Sequence, residues 1–234
     1  MKFLVFSVFL IKGLVFTTLA QCDPITIVVL GSSTSFGTGA SHKDSSYLGR
    51  YNRFLSDSVN KNCVIYNLAI SGYSTYLIQP SGFIPPQNRS SSIPDTLRNI
   101  TRAISLRPDA IILNFPSNDA SANFSLQEQK DNFKRVTDLA DSAGIPYWIT
   151  STQPRNFTGD PLAIQKKLLI TDMKKCLLEL YPNNYIDFYD GLHSTNGNIL
   201  TNYNCGDGIH LNDAGHKLLF TRLKNSAIHR LRCK

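Results

Sequence analysis

Cysteine and charged residues are scarce in this sequence. Its five cysteines have no zinc-ligand spacing, so we expect no metal site and no cofactor. Charged residues make up 18% of the 234-residue chain and hydrophobic residues 42%. That balance is typical of a soluble globular protein, and it excludes a disordered chain, a coiled coil and a membrane protein with several spans.

Several glycine-rich binding motifs are also missing. The turn at 31–39 lacks the Gly-Lys-Ser/Thr ending of a P-loop, and the chain has no Gly-x-Gly-x-x-Gly dinucleotide fingerprint. Residues 31–35 have no second glycine, which the Gly-x-Ser-x-Gly elbow of an α/β-hydrolase would require. The sequence therefore argues against nucleotide binding and against an α/β-hydrolase.

The first 21 residues differ in kind from the rest. A basic residue, Lys2, precedes an apolar stretch that is interrupted by Lys12 and ends in small residues. This pattern is typical of a secretory signal peptide and is too short for a good membrane span. We therefore expect an exported protein, either secreted, periplasmic or anchored at the cell surface, in which residues 22–234 form one domain. Cys22 and the residues before it also resemble a bacterial lipobox, so lipidation of Cys22 is the one membrane attachment left open.

The charge distribution does not favour nucleic-acid binding. Without Lys2 and Lys12, 22 basic residues face 17 acidic ones, and only a modest basic cluster occurs, at 229–234. A nucleic-acid interface would need a denser basic patch with interleaved aromatics. Export permits disulfides, but the sequence does not determine which cysteines pair.

Short β-branched runs alternate with longer amphipathic stretches in the mature chain. This alternation predicts a parallel sheet covered by helices on both faces, a three-layer α/β/α sandwich with five strands. The predicted strands are 25–30, 64–68, 110–114, 147–150 and a weaker 185–188. The predicted helices are 47–60, 94–106, 126–143, 161–180 and 212–230, and the longest irregular stretch is 75–93.

Residues able to perform acyl transfer follow several of these strands. Ser33 comes just after the first strand, and Asp207 and His210 share a loop before the last helix. A serine needs an imidazole to accept its proton, and the imidazole needs a carboxylate to orient it. The Ser33 amide, the Gly72 amide and the Asn118 side chain are candidate oxyanion donors. Each residue alone is ambiguous, but together and in this order they predict a serine hydrolase.

These segments resemble the four blocks of the SGNH (GDSL-like) hydrolase superfamily. Gly-Ser-Ser at 31–33 is similar to the first block, 67–72 to the second, Pro-Ser-Asn-Asp at 116–119 to the third, and Asp-Gly-Ile-His at 207–210 to the last. The resemblance implies a flavodoxin-like SGNH fold and a serine esterase. It also implies the roles given above to Ser33, Gly72, Asn118, Asp207 and His210. Two departures, serine for the usual aspartate at 32 and proline for glycine at 116, leave the substrate open.

The substrate assignment rests on weaker signals. Arg155, in a loop after the fourth strand, is a candidate for binding an anionic or carbonyl group, and Tyr73 is a second candidate contact. Polar loops and export favour acetyl esters of carbohydrates as substrates, either on a small molecule or on a polysaccharide. We also expect the protein to act as a monomer. Alternatives are a lipid or aryl ester acylhydrolase, such as a lysophospholipase, and an inactive carbohydrate-binding surface protein on the same scaffold. Another histidine, His216, is expected to be a helix residue rather than a rival base.

Overall fold

A computed structural model describes residues 24–59, 63–115 and 117–230. Five strands form one sheet through four parallel pairings, in the order β2-β1-β3-β4-β5. This confirms the predicted five-stranded parallel sheet. The strands are β1 (Thr26–Gly31), β2 (Val64–Asn67), β3 (Ala110–Asn114), β4 (Tyr147–Thr150) and β5 (Tyr185–Ile186).

Helices connect the strands, and some are shorter than predicted. The predicted helix 94–106 begins only at 100, because the side chain of Asn99 caps it by accepting the amide of Arg102 at 3.0 Å. The predicted helix 212–230 ends at 225 and is followed by a separate 3₁₀ turn. The α-helices are α1 (Ser33–Phe36), α2 (Tyr47–Phe54), α3 (Ile100–Ser105), α4 (Asn118–Ser121), α5 (Leu126–Ser142), α6 (Ala163–Leu180) and α7 (Asp213–Asn225).

The sheet is buried on both faces because successive side chains of a strand point to opposite sides. In β1, Ile27 and Val29 face one layer, while Val28 and Leu30 face the other. Helices α2 and α7 cover the first layer, and α3, α5 and α6 cover the second. The three-layer α/β/α sandwich predicted from the alternation of strands and helices is thus confirmed.

Strand β2 departs from the expectation of a strand buried on both faces. It lies at the edge of the sheet, and more than a third of Val64 and of Tyr66 is exposed. An apolar run alone cannot distinguish an edge strand from a central one.

Three earlier expectations concern parts of the chain that the structure does not describe. The signal peptide at 1–21, the lipidation of Cys22 and the proline at 116 lie outside the described residues. Within the described ranges, Cys176 and Cys205 are free thiols, and no helix is both long and apolar enough to cross a membrane.

Candidate active site

The predicted site residues lie at one edge of the sheet. Ser33 follows β1, Gly72 follows β2 and Asn118 follows β3, while Asp207 and His210 lie in the loop before α7. The carboxyl ends of parallel strands meet at the same edge, which is where ligands bind in open α/β sheets. We call residues 205–211 the triad loop, because they carry the aspartate and histidine of the Ser-His-Asp triad predicted from the sequence.

Asp207 and His210 form a tight pair. His210 Nδ1 lies 2.6 Å from Asp207 Oδ2, and Asp207 Oδ1 accepts the amides of Ile209 and His210, both at 2.8 Å. Burial disfavours the charged carboxylate, but the hydrogen bonds from His210 and Ile209 outweigh it, so the pKa of Asp207 lies well below its ordinary value. An ionised Asp207 holds the proton on Nδ1 and leaves Nε2 free to accept another.

A second Asp-Gly-x-His run, at 190–193, has the same spacing, and sequence reasoning overlooked it. Here His193 Nε2 is 3.9 Å from Asp190, and His193 Nδ1 contacts the carbonyl of Ser194 at 3.0 Å. Asp190 instead binds Lys174, which lowers the pKa of the aspartate. The two runs therefore share the Asp-Gly-x-His pattern but differ in geometry. Only the run at 207–210 directly precedes a helix, which is the signal that separates them.

His216 lies in α7 and is fully buried. Its Nδ1 accepts the amide of Tyr47 at 3.3 Å, and its Nε2 lies 3.2 Å from the carbonyl of Thr38. Burial lowers its pKa, so the ring is neutral with Nε2 as the donor. Because both nitrogens are engaged, His216 has no free nitrogen with which to accept a proton from a serine.

Ser33 is the first residue of α1, the single helical turn after β1, and it is 5% exposed. Among the described residues, no group forms a hydrogen bond with the Ser33 hydroxyl, and His210 Nε2 forms none either. Catalytic hydrogen bonds often tighten only in the complex with substrate. The turn after α1 nevertheless packs on the triad loop: a Cβ on Gly39 would lie 2.3 Å from the carbonyl oxygen of Leu211 and 3.0 Å from His210 Cβ, so only glycine fits there.

Gln153 joins the α1 turn to the triad loop. Its Oε1 accepts the Thr34 hydroxyl at 2.8 Å, and its Nε2 donates to the Ile209 carbonyl at 3.2 Å. The side chain is 1% exposed. Sequence reasoning noted its loop but gave Gln153 no role, because a bridge between two distant loops leaves no local pattern.

Replacing Gln153 by alanine is therefore expected to lower kcat by about tenfold or more, since the bridge holds the predicted nucleophile and base in register. Steady-state kinetics on a p-nitrophenyl ester measures the effect. Gln129→Ala is the matched control: Gln129 is also buried, but its amide bonds the Phe124 carbonyl within the α5 region. Equal losses of kcat in the two variants would contradict the bridging role and indicate a general loss of stability.

Two of the predicted oxyanion donors converge on the hydroxyl of Ser32. This oxygen lies 2.5 Å from the Ser33 amide nitrogen and 2.9 Å from Asn118 Nδ2. The second Asn118 hydrogen goes to the carbonyl of Tyr73, also at 2.9 Å. The convergence shows that the two donors can reach one oxygen atom. Sequence reasoning registered only the missing carboxylate at position 32 and not the fully buried hydroxyl that replaces it.

Gly72, the third predicted donor, is arranged differently. Within the described residues its amide donates to no protein acceptor, so this donor is available. Its φ of +88° lies in the left-handed region that favours glycine. The loop that carries it is fixed by Asp119, which accepts the Thr75 amide at 3.0 Å and the Thr75 hydroxyl at 2.5 Å. Burial raises the pKa of Asp119 to about 7, although the bonds from Thr75 act against the rise.

The two residues predicted to contact the substrate differ in how their side chains are placed relative to Asn118. The Tyr73 hydroxyl donates to Asp95, and burial, with this bond, raises the pKa of Tyr73 to about 12. The backbone carbonyl of Tyr73, and not its ring hydroxyl, accepts the hydrogen bond from Asn118. Arg155 lies closer to the predicted chemistry, with Nη1 3.4 Å from Asn118 Oδ1.

One cluster among the described residues has side chains of the kind that bind metals. Cys205, Asp207 and His210 place potential ligand atoms within 4.8 Å of one another. The sequence offered Asp207 and His210 as half of a metal site at most, and it gave no sign that Cys205 lies beside them. In this structure the aspartate and histidine are bonded to each other, an arrangement suited to proton transfer.

Comparison with known proteins gives a consistent result. Residues 29–218 match the family model of the GDSL-like lipase/acylhydrolase family. No curated protein matches the sequence significantly.

Several solved structures share the fold at low sequence identity. A lipase/acylhydrolase from Enterococcus faecalis superposes with a TM-score of 0.66 at 15% identity, covering 90% of this chain and 98% of that chain. A GDSL-like lipase from Bacteroides thetaiotaomicron gives 0.62 at 16%, covering 91% and 94%. The psychrotrophic esterase EstA from Pseudoalteromonas sp., whose structure was determined with monoethylphosphonate as inhibitor, gives 0.59 at 13%, covering 86% and 95%.

Proposed function

The chain belongs to the GDSL-like lipase/acylhydrolase family and is an ester-hydrolysing serine hydrolase, and we propose that it removes short acyl groups, above all acetyl, from carbohydrates outside the cytoplasm. The observation that carries the proposal is the 2.6 Å pair of Asp207 and His210 at the same sheet edge as Ser33. Acyl transfer to a serine requires this combination of nucleophile, base and orienting acid.

In the proposed acylation step, the Ser33 hydroxyl attacks the ester carbonyl carbon. His210 Nε2 accepts the serine proton as the bond forms, and ionised Asp207 stabilises the resulting imidazolium. As the bond between the acyl carbon and the sugar oxygen breaks, His210 donates the proton to that oxygen, and the sugar leaves with a free hydroxyl. This step leaves Ser33 acylated.

Negative charge develops on the carbonyl oxygen during the attack. The free amide of Gly72 and the amide of Ser33 are suited to stabilise it, and Asn118 supplies a third donor by turning one amide hydrogen from Ser32 Oγ to the substrate oxygen. The convergence of Ser33 and Asn118 on Ser32 Oγ supports this arrangement.

Deacylation repeats the sequence with water. His210 Nε2 accepts a proton from the water that attacks the acyl group on Ser33, then returns a proton to the Ser33 oxygen as the carboxylic acid leaves. No cofactor takes part in either step.

The character of the rim supports a small acyl group and a sugar. The loops after β2 and β4 are rich in hydroxyl and amide side chains, and the chain has no large apolar insertion that would form a lid or an acyl tunnel. A specific observation favours the lipid alternative: beside α1 lies a groove of about 670 Å³ that Phe36 and Ile70 help to line, and Phe36 is 57% exposed. The acyl-chain preference decides between the two.

We expect kcat/KM for p-nitrophenyl esters to fall by about tenfold or more from acetyl to octanoyl. An apolar acyl pocket would instead add up to about 0.8 kcal/mol of binding for each buried methylene, so the rate would rise with chain length. A rise toward octanoyl that is abolished by Phe36→Ala would overturn the carbohydrate assignment in favour of a lipid ester. A panel of acetylated glycans then identifies the sugar.

A further inference from the structure

The loop after β4 holds Arg155 against the triad loop. On one side of Arg155, Gln153 Nε2 donates to the Ile209 carbonyl at 3.2 Å. On the other side, the backbone N–H of Asn156 donates to the Gly208 carbonyl at 2.8 Å. These two bonds fix the backbone around Arg155 at the edge of the candidate active site.

The guanidinium of Arg155 has few partners for a half-buried cation. Within the described residues no carboxylate lies within 4.0 Å of it. The nearby Asp160 is bonded at 2.5 Å to Lys166. Arg155 Nε is buried with no hydrogen-bond partner, Nη1 makes only the long 3.4 Å contact to Asn118, and the Phe157 ring centroid is 5.0 Å away. Burial lowers the pKa of Arg155, with Asp207 and Asp160 acting against this, yet a guanidinium remains charged in proteins.

Arg89 shows how this fold satisfies an arginine with a structural role. It binds Glu128 through Nε at 2.6 Å and Nη2 at 3.0 Å, and it donates to the carbonyls of Ala122 and Asn123. Among the residues that the structure describes, Arg155 has no comparable acceptors. Buried donors are usually paired, so an arginine with spare donors beside a catalytic pair indicates an acceptor supplied from outside the chain.

We propose that Arg155 is an anion subsite that binds a carboxylate or sulfate on the sugar whose ester is cleaved. A guanidinium binds such groups through two parallel hydrogen bonds, which fix orientation as well as position. An anion on Arg155 lies next to Asn118, and so holds the acyl group near the proposed oxyanion donors. This inference rests on the proposed function and narrows its substrate class to acylated anionic glycans.

Basic side chains in the groove beside α1 are consistent with an anionic glycan. The groove of about 670 Å³ is lined by Lys43, Arg98 and the exposed His42, and by no acidic side chain among its described lining residues. Further anionic sugars of the same glycan would find complementary charge there.

The test measures inhibition by sugars that carry no carboxylic ester, with p-nitrophenyl acetate as the neutral reporter. Trigalacturonate supplies carboxylates, an O-sulfated galactotriose supplies sulfates, and unmodified galactotriose is the uncharged reference. In the wild type we expect one of the two anionic sugars to inhibit at least about tenfold more strongly than the reference, as expected for charge-assisted pairs, and the stronger one identifies the anion. In Arg155→Gln the ratio of inhibition constants should fall to about one, with Arg155→Lys in between.

Arg102→Gln is the matched control, because it removes the same charge from the exposed surface of α3 and should keep the wild-type ratio. Equal inhibition by charged and neutral sugars in the wild type would overturn the inference. So would an Arg155→Gln variant that loses kcat but keeps the ratio, since Arg155 would then act only by positioning Asn118. Calorimetric binding of the same sugars gives the ratio independently of turnover. Failure of the proposed function shows separately, as reporter hydrolysis that survives Ser33→Ala.

Discussion

Replacing Ser33 by alanine is expected to reduce kcat on p-nitrophenyl acetate by about ten-thousandfold or more, the scale found for nucleophiles of serine hydrolases. The reason is chemical: alanine has no oxygen to form the acyl intermediate, and the remaining donors only assist attack by water. Ser33 contributes no side-chain hydrogen bond to the described part of the fold, so the melting temperature should change by only a few degrees. Stopped-flow or steady-state hydrolysis measures the rate, and calorimetry the stability.

The neighbouring Ser32→Ala variant is the control for this prediction. Ser32 Oγ is buried and engaged by the Ser33 amide and Asn118, so it is not available to attack a substrate. Ser32→Ala should therefore lose far less activity than Ser33→Ala. A larger loss in Ser32→Ala than in Ser33→Ala would show that the nucleophile has been assigned to the wrong serine.

Replacing His210 by alanine is expected to lower kcat by about a thousandfold or more, because no other group in the triad loop can accept the serine proton. The second Asp-Gly-x-His run provides a matched control within the same chain. His193→Ala should leave kcat within about threefold of the wild type, since His193 lies 3.9 Å from an aspartate that already binds Lys174.

The outcome for the two histidines discriminates between assignments. If His193→Ala abolishes activity and His210→Ala does not, the triad loop has been misidentified. Asp207→Asn adds a further test, because it keeps the shape of the side chain but removes the charge that orients the His210 ring.

The sequence was sufficient to predict the strands and the candidate residues near their ends, but not the contacts between loops. Strands β3 and β4 were predicted to the residue because buried parallel strands have continuous apolar runs bounded by turn signals. The predicted start of α3 was wrong because apolar residues continue through the turn before Asn99. The side chain of Asn99 caps the helix and so decides where it begins.

The candidate site shows the same division. Ser33 was predicted because it follows a recognisable strand, and Asp207 and His210 because their loop directly precedes a recognisable helix. The contacts of Ser32, Gln153 and Arg155 depend on loops that are far apart in sequence. Whether a serine hydroxyl meets Asn118, or an arginine lacks a carboxylate, is decided by three-dimensional placement, and no local pattern carries that information.

The most direct test of the central claim is covalent labelling with an alkyl fluorophosphonate, which reacts only with an activated serine. We expect one adduct per chain, located on Ser33 by peptide mass spectrometry, lost in Ser33→Ala and greatly slowed in His210→Ala. The absence of an adduct in the wild type, or an adduct on a serine other than Ser33, would contradict the account.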